Sequence, residues 1–231
     1  MINRIGRYEY LWDILKKNHD VSIINTVAQY DVLIYGLLYV DEKMIDSCCN
    51  KVIVCGHATD WIKEHNHVIC LLEDEEFLVN NAWVTAWGIL EILLRHSMQC
   101  IDELCIDVVG YGRCGKALVR LFDALHISYR VIVKELKNYN FEAIHFEEYL
   151  FKKPNPWIIQ TADCCIFDKH WVQRCKGETS IIDITSNFVG TKDIQNEMIM
   201  ILYAKALPDL YCSKSGGVIY YDAIKRDLIC N

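Results

Sequence analysis

The sequence predicts an α/β protein whose larger part is a doubly wound, mostly parallel sheet. From residue 105 onward, short β-branched runs alternate with amphipathic segments, an order typical of parallel strands joined by right-handed crossovers. Three glycines, Gly110, Gly112 and Gly115, stand in a G-x-G-x-x-G pattern between one such strand and one such helix. The 231 residues, of which 52% are hydrophobic, are sufficient to bury a core of this kind.

The sequence pattern of residues 1–83 predicts a smaller, truncated α/β domain of the flavodoxin-like kind. Its opening segment, Tyr8–Lys17, has Tyr8, Leu11, Trp12 and Leu15 on one helical face. Aliphatic runs that suit buried parallel strands follow at Val21–Thr26, Val32–Leu37, Lys51–Cys55 and Val68–Leu72. Met44–Cys49 fits a short helix, and the acidic residues 73–76 are interpreted as a turn.

Residues 84–231 predict the larger domain, with the boundary placed near residue 83. It begins with an apolar helix over Thr85–His96, which Thr85 is expected to cap. The elements that follow are strand Cys105–Val109, helix Gly115–His126, strand Tyr129–Val133, strand Trp157–Thr161, helix Lys169–Arg174 and strand Ser180–Ile184. This alternation is typical of a Rossmann-type sheet.

The glycine pattern has a chemical meaning in this strand–loop–helix setting. Gly110 permits a tight turn, Gly112 lets the backbone approach a pyrophosphate, and Gly115 lets the helix pack closely on the strand. The diphosphate of a dinucleotide would then lie at the helix N-terminus, where free N–H groups and the helix dipole favour an anion. The sequence therefore predicts a dinucleotide-binding domain and, with it, an NAD(P)-dependent oxidoreductase.

The residues after the next strand bear on which dinucleotide is bound. An acid there favours NAD because it binds the adenosine ribose hydroxyls, whereas a base accommodates the additional phosphate of NADP. The sequence offers both, with Lys134 and Glu135 followed by Lys137. Two lysines around one acid favour NADP slightly, and NAD stays open.

Charge, hydropathy and cysteine spacing exclude several classes of function. The formal net charge is −7 and no Lys/Arg cluster occurs, so we expect no nucleic-acid binding. No apolar run approaches the length of a membrane span, and the N-terminus lacks the pattern of a signal peptide, so we expect a cytoplasmic protein. The twelve cysteines include no C-x-x-C spacing and lie mostly in apolar runs, which predicts reduced, buried thiols and no metal site.

Four further blocks of sequence, in order, resemble the family of the A subunit of dipicolinate synthase, which is related to the NAD-binding domain of D-isomer-specific 2-hydroxyacid dehydrogenases. The blocks are NNAWVTAWGILEILLRHS before the glycine loop, then IIQTAD, SIIDITSNFVGTKD and KALPDLYCSKSGGVI after it. The resemblance implies NADP- or NAD-linked hydride transfer involving a small dicarboxylate or cyclic imine. It also implies that the partner is a flavoprotein-like second subunit, the B subunit of that synthase, and we expect a homo-oligomer.

The resemblance implies roles for individual residues as well. Gly110, Gly112, Arg113 and Cys114 would line the diphosphate, Thr161 and Ala162 would lie along the ribose and nicotinamide, and Asp183 and Ser186 would end a strand beside the nicotinamide. Lys214, Ser215 and Gly216 would close the site as a Ser/Gly loop, and Asn81 and Thr85 would face it from the helix before the glycine loop. Among these, Lys214 is the candidate for binding a substrate carboxylate.

The group that moves a proton, and with it catalysis itself, stays open at this point. The last histidine is His170, so no late histidine is available as the general acid/base that alcohol oxidation needs. His57 follows a predicted strand and is either such a group or a polar strand-end residue. A non-catalytic dinucleotide-binding protein, either a sensor or a partner subunit, is the alternative. Asp163 near the expected cofactor and Trp87, where family members carry an acid, favour it.

Overall fold

The computed structural model describes residues 7–19, 31–175 and 177–229 of the chain. The chain divides into two compact units, a first unit formed by residues 1–84 with 208–231 and a second unit formed by residues 85–207. The division predicted from the sequence keeps residues 84–231 together in one domain. The structure differs at the C-terminus because the last helix packs with the first unit.

The first unit contains a three-stranded parallel sheet. Its strands, in spatial order, are β1 (Val32–Ile34), β3 (Val52–Cys55) and β5 (His67–Cys70), which confirms three predicted strands with shorter bounds. A two-stranded ladder pairs β2 (Tyr39–Val40) with β4 (His57–Ala58), and α2 (Asp60–His65) precedes β5. A short 3-10 helix, Glu42–Ile45, replaces the helix predicted over Met44–Cys49. The predicted strand Val21–Thr26 lies outside the described residues.

Two helices from opposite ends of the chain pack together in the first unit. They are α1 (Arg7–Asn18) and α8 (Ser213–Ile229). Leu11 of α1 and Tyr220 of α8 are buried in one hydrophobic cluster. Gly217 permits this approach, because a Cβ at that position would lie 2.8 Å from the Cβ of Tyr10. The C-terminal residues therefore complete the core of the first unit.

The longest helix, α3 (Glu75–Ser97), begins well before its predicted start. The Asp74 carboxylate accepts a hydrogen bond from the Phe77 N–H at 3.1 Å, and two acids in the first turn favour the positive end of the helix dipole. The predicted capping role of Thr85 is wrong, because this residue is buried within the helix. By length and composition α3 could span a membrane, but half of its apolar stretch is buried inside the protein.

The second unit contains a six-stranded parallel sheet. Its strands are β6 (Cys105–Val109), β7 (Ser128–Val133), β8 (Ala143–His145), β9 (Trp157–Gln160), β10 (Thr179–Asp183) and β11 (Ile199–Tyr203). Its helices are α4 (Arg113–Leu125), α5 (Phe146–Tyr149) and α6 (Lys169–Arg174), and α7 (Leu207–Leu210) lies where the two units meet in sequence. The spatial order β8-β7-β6-β9-β10-β11 runs outward from the β6–β9 pair in both directions. This doubly wound order confirms the predicted Rossmann-type fold class.

A network of hydrogen-bonded and charged groups surrounds a buried aspartate, Asp107, in this sheet. The fully buried Asp107 carboxylate accepts hydrogen bonds from Arg130 Nε at 2.6 Å, from the Tyr149 hydroxyl at 2.8 Å and from the Asn155 N–H at 2.9 Å. Burial, and then the Asp107 charge, raise the pKa of Tyr149 well above its ordinary value. Its hydroxyl therefore stays protonated and remains a donor, so each of these buried polar groups has a partner.

Candidate cofactor-binding site

The candidate site lies at the carboxyl edge of the second unit's sheet, at the point where the strand order reverses. β6 ends at Val109 and leads into Gly110, and β9 ends at Gln160 and leads into Thr161. Val109 and Gln160 are register partners, so the two loops leave the sheet side by side. In open α/β sheets, ligands bind in the crevice at this switch point.

Each of the three glycines meets a different steric requirement. Gly110 has φ +99°, which favours glycine, and a Cβ there would lie 2.7 Å from Thr161 Oγ1. A Cβ at Gly115 would lie 2.2 Å from the Gly110 carbonyl oxygen, so only glycine lets the helix approach the strand end. Around Gly112, in contrast, no atom of the described residues beyond its immediate neighbours in the chain lies within 4 Å of the Cβ position. The loop is therefore tight on the protein side and open at Gly112.

Helix α4 presents its N-terminus at this loop without a capping side chain. The N-cap residue is Gly112, which has no side chain to accept hydrogen bonds from the first N–H groups of the helix. Arg113 and Lys116 place two exposed cations in the first turn. Burial raises the pKa of the Cys114 thiol, although the Arg113 charge opposes this, so Cys114 lacks the lowered pKa of a helix-activated thiol. The arrangement suits an anion such as a diphosphate.

Exposed charged residues follow β7, near the glycine loop. Lys134, Glu135 and Lys137 are exposed, and a Glu135 carboxylate oxygen lies 3.8 Å from the Lys137 ammonium. The Tyr139 hydroxyl donates to the Glu135 carbonyl oxygen at 3.4 Å, and the Tyr139 ring lies 5.4 Å from the ring of Tyr111. Because Tyr111 stands between the first two glycines, this contact brings the predicted ribose-binding residues beside the glycine loop.

The end of β9 is fixed to the end of β6. The N–H and the hydroxyl of Thr161 both donate to the Val109 carbonyl oxygen, at 3.0 and 2.8 Å. Gln160, fully buried, donates from Nε2 to the carbonyl oxygens of Ala162 at 2.7 Å and Cys164 at 3.0 Å. Thr161 and Ala162 therefore lie against Gly110 of the glycine loop. Their neighbour Gln160 stabilises the loop that follows β9.

Asp183 ends β10 as predicted, but its carboxylate is used within the protein. One oxygen accepts from the Thr185 N–H at 2.8 Å and from the Thr185 hydroxyl at 2.7 Å, and the other accepts from the Thr191 hydroxyl. All three residues are buried. Asp183 thus shapes the loop that follows β10, and the neighbouring Ser186 is exposed on that loop.

The remaining predicted substrate residues fall in different parts of the chain. Thr85 belongs to the second unit, and Asn81, Lys214, Ser215 and Gly216 belong to the first. The predicted Ser/Gly loop over residues 214–216 is wrong, because α8 begins at Ser213 and these residues form its first turn. Within that turn Lys214 and Ser215 are exposed, whereas Gly216 is buried.

A buried arginine that the sequence interpretation missed connects two of these residues. Arg7 donates from Nη1 to Asn81 Oδ1 at 2.7 Å and from Nε to Asp209 Oδ1 at 2.6 Å. A Cβ at Gly216 would lie 3.1 Å from the Cβ of Arg7, so Gly216 packs against the same side chain. The charge-rich segment RYEY predicts a helix, but no local pattern assigns Arg7 a partner.

His57 lies on β4 in the first unit, half exposed. Its Nδ1 is 3.5 Å from a Glu73 carboxylate oxygen, which also accepts from the Lys63 ammonium at 2.7 Å. The Lys63 hydrogen bond, followed by the one from His57, lowers the pKa of Glu73. This three-residue ion cluster accounts for His57 as a polar residue on the two-stranded ladder of β2 and β4.

Comparison with known proteins gives one curated relative and several similar structures. No model of a known protein family matches the chain. The A subunit of dipicolinate synthase from Bacillus subtilis (strain 168) is 23% identical over an alignment of 170 residues that covers 69% of this chain and 57% of that relative. The chain therefore aligns with little more than half of the relative's length.

Solved structures share the fold over nearly the whole chain. The A chain of dipicolinate synthase from Bacillus subtilis superposes with a TM-score of 0.77 at 18% identity, covering 96% of this chain and 92% of that one. The NAD-complexed D-isomer specific 2-hydroxyacid dehydrogenase from Lactobacillus delbrueckii ssp. bulgaricus gives a TM-score of 0.55 at 13% identity, covering 97% and 93%.

The fold and the glycine loop together define the chain as a protein with the dinucleotide-binding fold of NAD-dependent dehydrogenases. The chain is similar to the dipicolinate synthase A chain in both sequence and fold, which confirms the resemblance predicted from the four sequence blocks.

Proposed function

We propose that the chain is an NAD(P)-dependent oxidoreductase similar to the A chain of dipicolinate synthase. The observation that carries this proposal is the glycine loop, which is closed by contacts at Gly110 and Gly115 and open at Gly112, beside an uncapped helix N-terminus. These residues fit a diphosphate, because the backbone offers N–H donors and no side chain blocks the approach. The nicotinamide, when bound, supplies or accepts the hydride.

Individual residues then take the following roles. Gly112 and Arg113 bind the diphosphate, and Cys114 packs beside it. Lys134 and Lys137 favour the additional phosphate of NADP, whereas Glu135 is the residue that would bind the ribose hydroxyls of NAD. Because Lys137 pairs with Glu135, Lys134 is the lysine that would bind the additional phosphate. We therefore propose NADP as the preferred cofactor.

The substrate in this proposal is a small dicarboxylate or a cyclic imine, handled by residues near the nicotinamide. Ser186, Thr161 and Ala162 border it from the loops of the second unit, and Asn81, Thr85, Lys214, Ser215 and Gly216 are the other proposed contributors. Exposed Lys214 is the cation that would hold a substrate carboxylate. We further propose that the partner is a flavoprotein-like second subunit, that the chain forms a homo-oligomer, and that it is cytoplasmic.

Gly112→Val tests the cofactor proposal directly. In the unmodified protein, NADPH at a hundred times its dissociation constant should add about 2.7 kcal/mol of stability, which is roughly 5–10 °C in melting temperature, with a smaller shift for NADH at the same concentration. The valine would occupy the open space at the loop, so the variant should lose the shift while keeping its own melting temperature within a few degrees.

Gly177→Val is the matched control for that experiment. Gly177 also has no atom within 4 Å of its Cβ position, and it lies between α6 and β10. This variant should melt and bind NADPH like the unmodified protein. If neither nucleotide shifts the unmodified protein, or if Gly112→Val binds as well as Gly177→Val, the proposed cofactor site is wrong.

A non-catalytic dinucleotide-binding module is the second candidate, and one observation favours it. The strand-end groups where dehydrogenase chemistry is expected are used internally, since Asp183 binds Thr185 and Thr191 and Gln160 binds the loop after β9. Incubating the protein with deuterated NADPH and candidate dicarboxylates distinguishes the oxidoreductase from the non-catalytic module. Deuterium in the product, measured by mass spectrometry, identifies an enzyme, and nucleotide binding without transfer identifies a module.

A further inference from the structure

Two cysteines of the first unit stand side by side at the carboxyl edge of its small sheet. Cys55 ends β3 and Cys70 ends β5, and the two residues are register partners in neighbouring parallel strands. Both side chains belong to the same hydrophobic cluster on one face of the sheet. All eleven cysteines within the described residues are free thiols. Cys55 and Cys70 therefore form a paired dithiol by geometry.

The distance between these strands suits a disulfide bond. Register partners in adjacent strands have Cα atoms about 4.8 Å apart, and disulfides bridge Cα atoms roughly 4.4–6.8 Å apart. Side chains of register partners project to the same face, so the two sulfur atoms meet without a change of register. Closing the bond requires side-chain rotation and leaves the strand pairing in place.

The two thiols differ in access. Cys70 lines a cavity of about 580 Å³ together with Lys63, Glu73 and Arg226, whereas Cys55 is fully buried and is not part of the lining. Cys70 is therefore the more accessible of the two thiols, and Cys55 is enclosed.

Their surroundings raise the pKa of both thiols. Burial is the largest cause that raises the pKa of Cys70 and the Glu73 charge adds to it, whereas the Lys63 charge and the neighbouring Cys55 and Ala58 lower it. Burial, with the neighbouring Cys70 sulfur, raises the pKa of Cys55 to about 12. Both pKa values are raised, so the order in which the two thiols react follows from their access, which favours Cys70.

We propose that Cys55 and Cys70 form a reversible disulfide, with Cys70 reacting first with a small hydroperoxide and Cys55 resolving the product. In the first step the Cys70 sulfur attacks the peroxide and the O–O bond breaks; the departing oxygen takes the Cys70 proton and leaves as an alcohol or water, while Cys70 becomes a sulfenic acid. In the second step the Cys55 sulfur attacks the Cys70 sulfur, the S–O bond breaks, and water leaves with the Cys55 proton. Two electrons pass from the dithiol to the peroxide, and a thiol reductant reverses the bond.

Peptide mapping tests this proposal, because trypsin separates the two cysteines cleanly. Each of the fragments Val52–Lys63 and Glu64–Arg95 contains one cysteine, Cys55 and Cys70 respectively. The folded protein is treated with equimolar hydrogen peroxide, free thiols are alkylated, and the digest is analysed without reduction. We expect the two fragments to appear as one linked species, lighter by about 2 Da than their sum, and to separate after dithiothreitol.

Three variants distinguish the ordered mechanism from incidental oxidation. Cys55→Ser should leave Cys70 as a sulfenic acid that dimedone traps, and Cys70→Ser should leave Cys55 unoxidised. Cys175→Ser, which removes another buried thiol with a raised pKa, should form the linked species normally. The proposal is wrong if the link appears only in denaturant, if Cys70 links to a different cysteine, or if both thiols stay alkylated while exposed Cys49 and Cys165 are oxidised.

Discussion

Gly115→Val is expected to lower the free energy of unfolding of the second unit by about 3 kcal/mol and to remove dinucleotide binding. A Cβ at this position would lie 2.2 Å from the oxygen and 3.0 Å from the carbon of the Gly110 carbonyl, and both are backbone atoms. The helix propensity gained on replacing glycine is at most about 1 kcal/mol, so the steric clash decides the sign. The helix must move away from β6, and the N–H groups that we propose bind the diphosphate move with it.

Urea denaturation and nucleotide titration measure the two effects separately. Gly112→Val is the informative comparison, because it should lose binding with a change in stability of about 0.5 kcal/mol or less, whereas Gly115→Val should lose both. A Gly115→Val protein that is as stable as the unmodified one would show that α4 does not need its close approach to the strand end.

Asp107→Ala should have the larger effect on stability, a loss of about 3–5 kcal/mol. The change removes the acceptor of Arg130, of the Tyr149 hydroxyl and of the Asn155 N–H at a fully buried position, and it leaves the Arg130 cation largely desolvated. Thermal denaturation followed by circular dichroism should show a melting temperature lower by on the order of 10 °C.

Glu148→Ala supplies the control for the loss of a carboxylate in the same unit. Its Oε1 lies 2.9 Å from Nζ of Lys152, four residues further along the chain, and both side chains are about half exposed. Exposed pairs of this kind contribute about 0.3–0.5 kcal/mol. Equal melting temperatures for Asp107→Ala and Glu148→Ala would contradict the assigned importance of the buried network.

Elements whose signals are local could be predicted from the sequence. The strand Cys105–Val109 has the predicted bounds, and α4 begins only two residues earlier than expected, because β-branched runs and glycine punctuation act within a few residues. The glycine loop itself was predictable, since its three glycines lie within six positions of one another and directly follow a β-branched strand, although the steric limit at Gly110 comes from the distant Thr161. The parallel direction of the strands followed from their alternation with helices.

Features that depend on distant contacts could not be predicted in this way. Arg7 meets Asn81 across 74 positions and Asp209 across 202, and nothing near Arg7 in the sequence encodes either partner. The glycines Gly216 and Gly217 near the start of α8 suggest a loop, yet they are there because α1 passes close by. The start of α3 was predictable in principle, because Asp74 followed by two acids is a helix-start signal, although the same acids also suit a turn.

The Asp183 carboxylate at the end of β10 already accepts three hydrogen bonds, which changes how mutational data on this protein should be interpreted. A strand-end aspartate beside a cofactor site attracts attention as a reacting acid, and its replacement by asparagine is the usual diagnostic. Here that replacement would put an amide N–H against a hydroxyl or backbone donor and would distort the turn through Thr185 and Thr191. A loss of turnover in Asp183→Asn would therefore report a misplaced turn, and only variants that keep all three hydrogen bonds can address the chemistry.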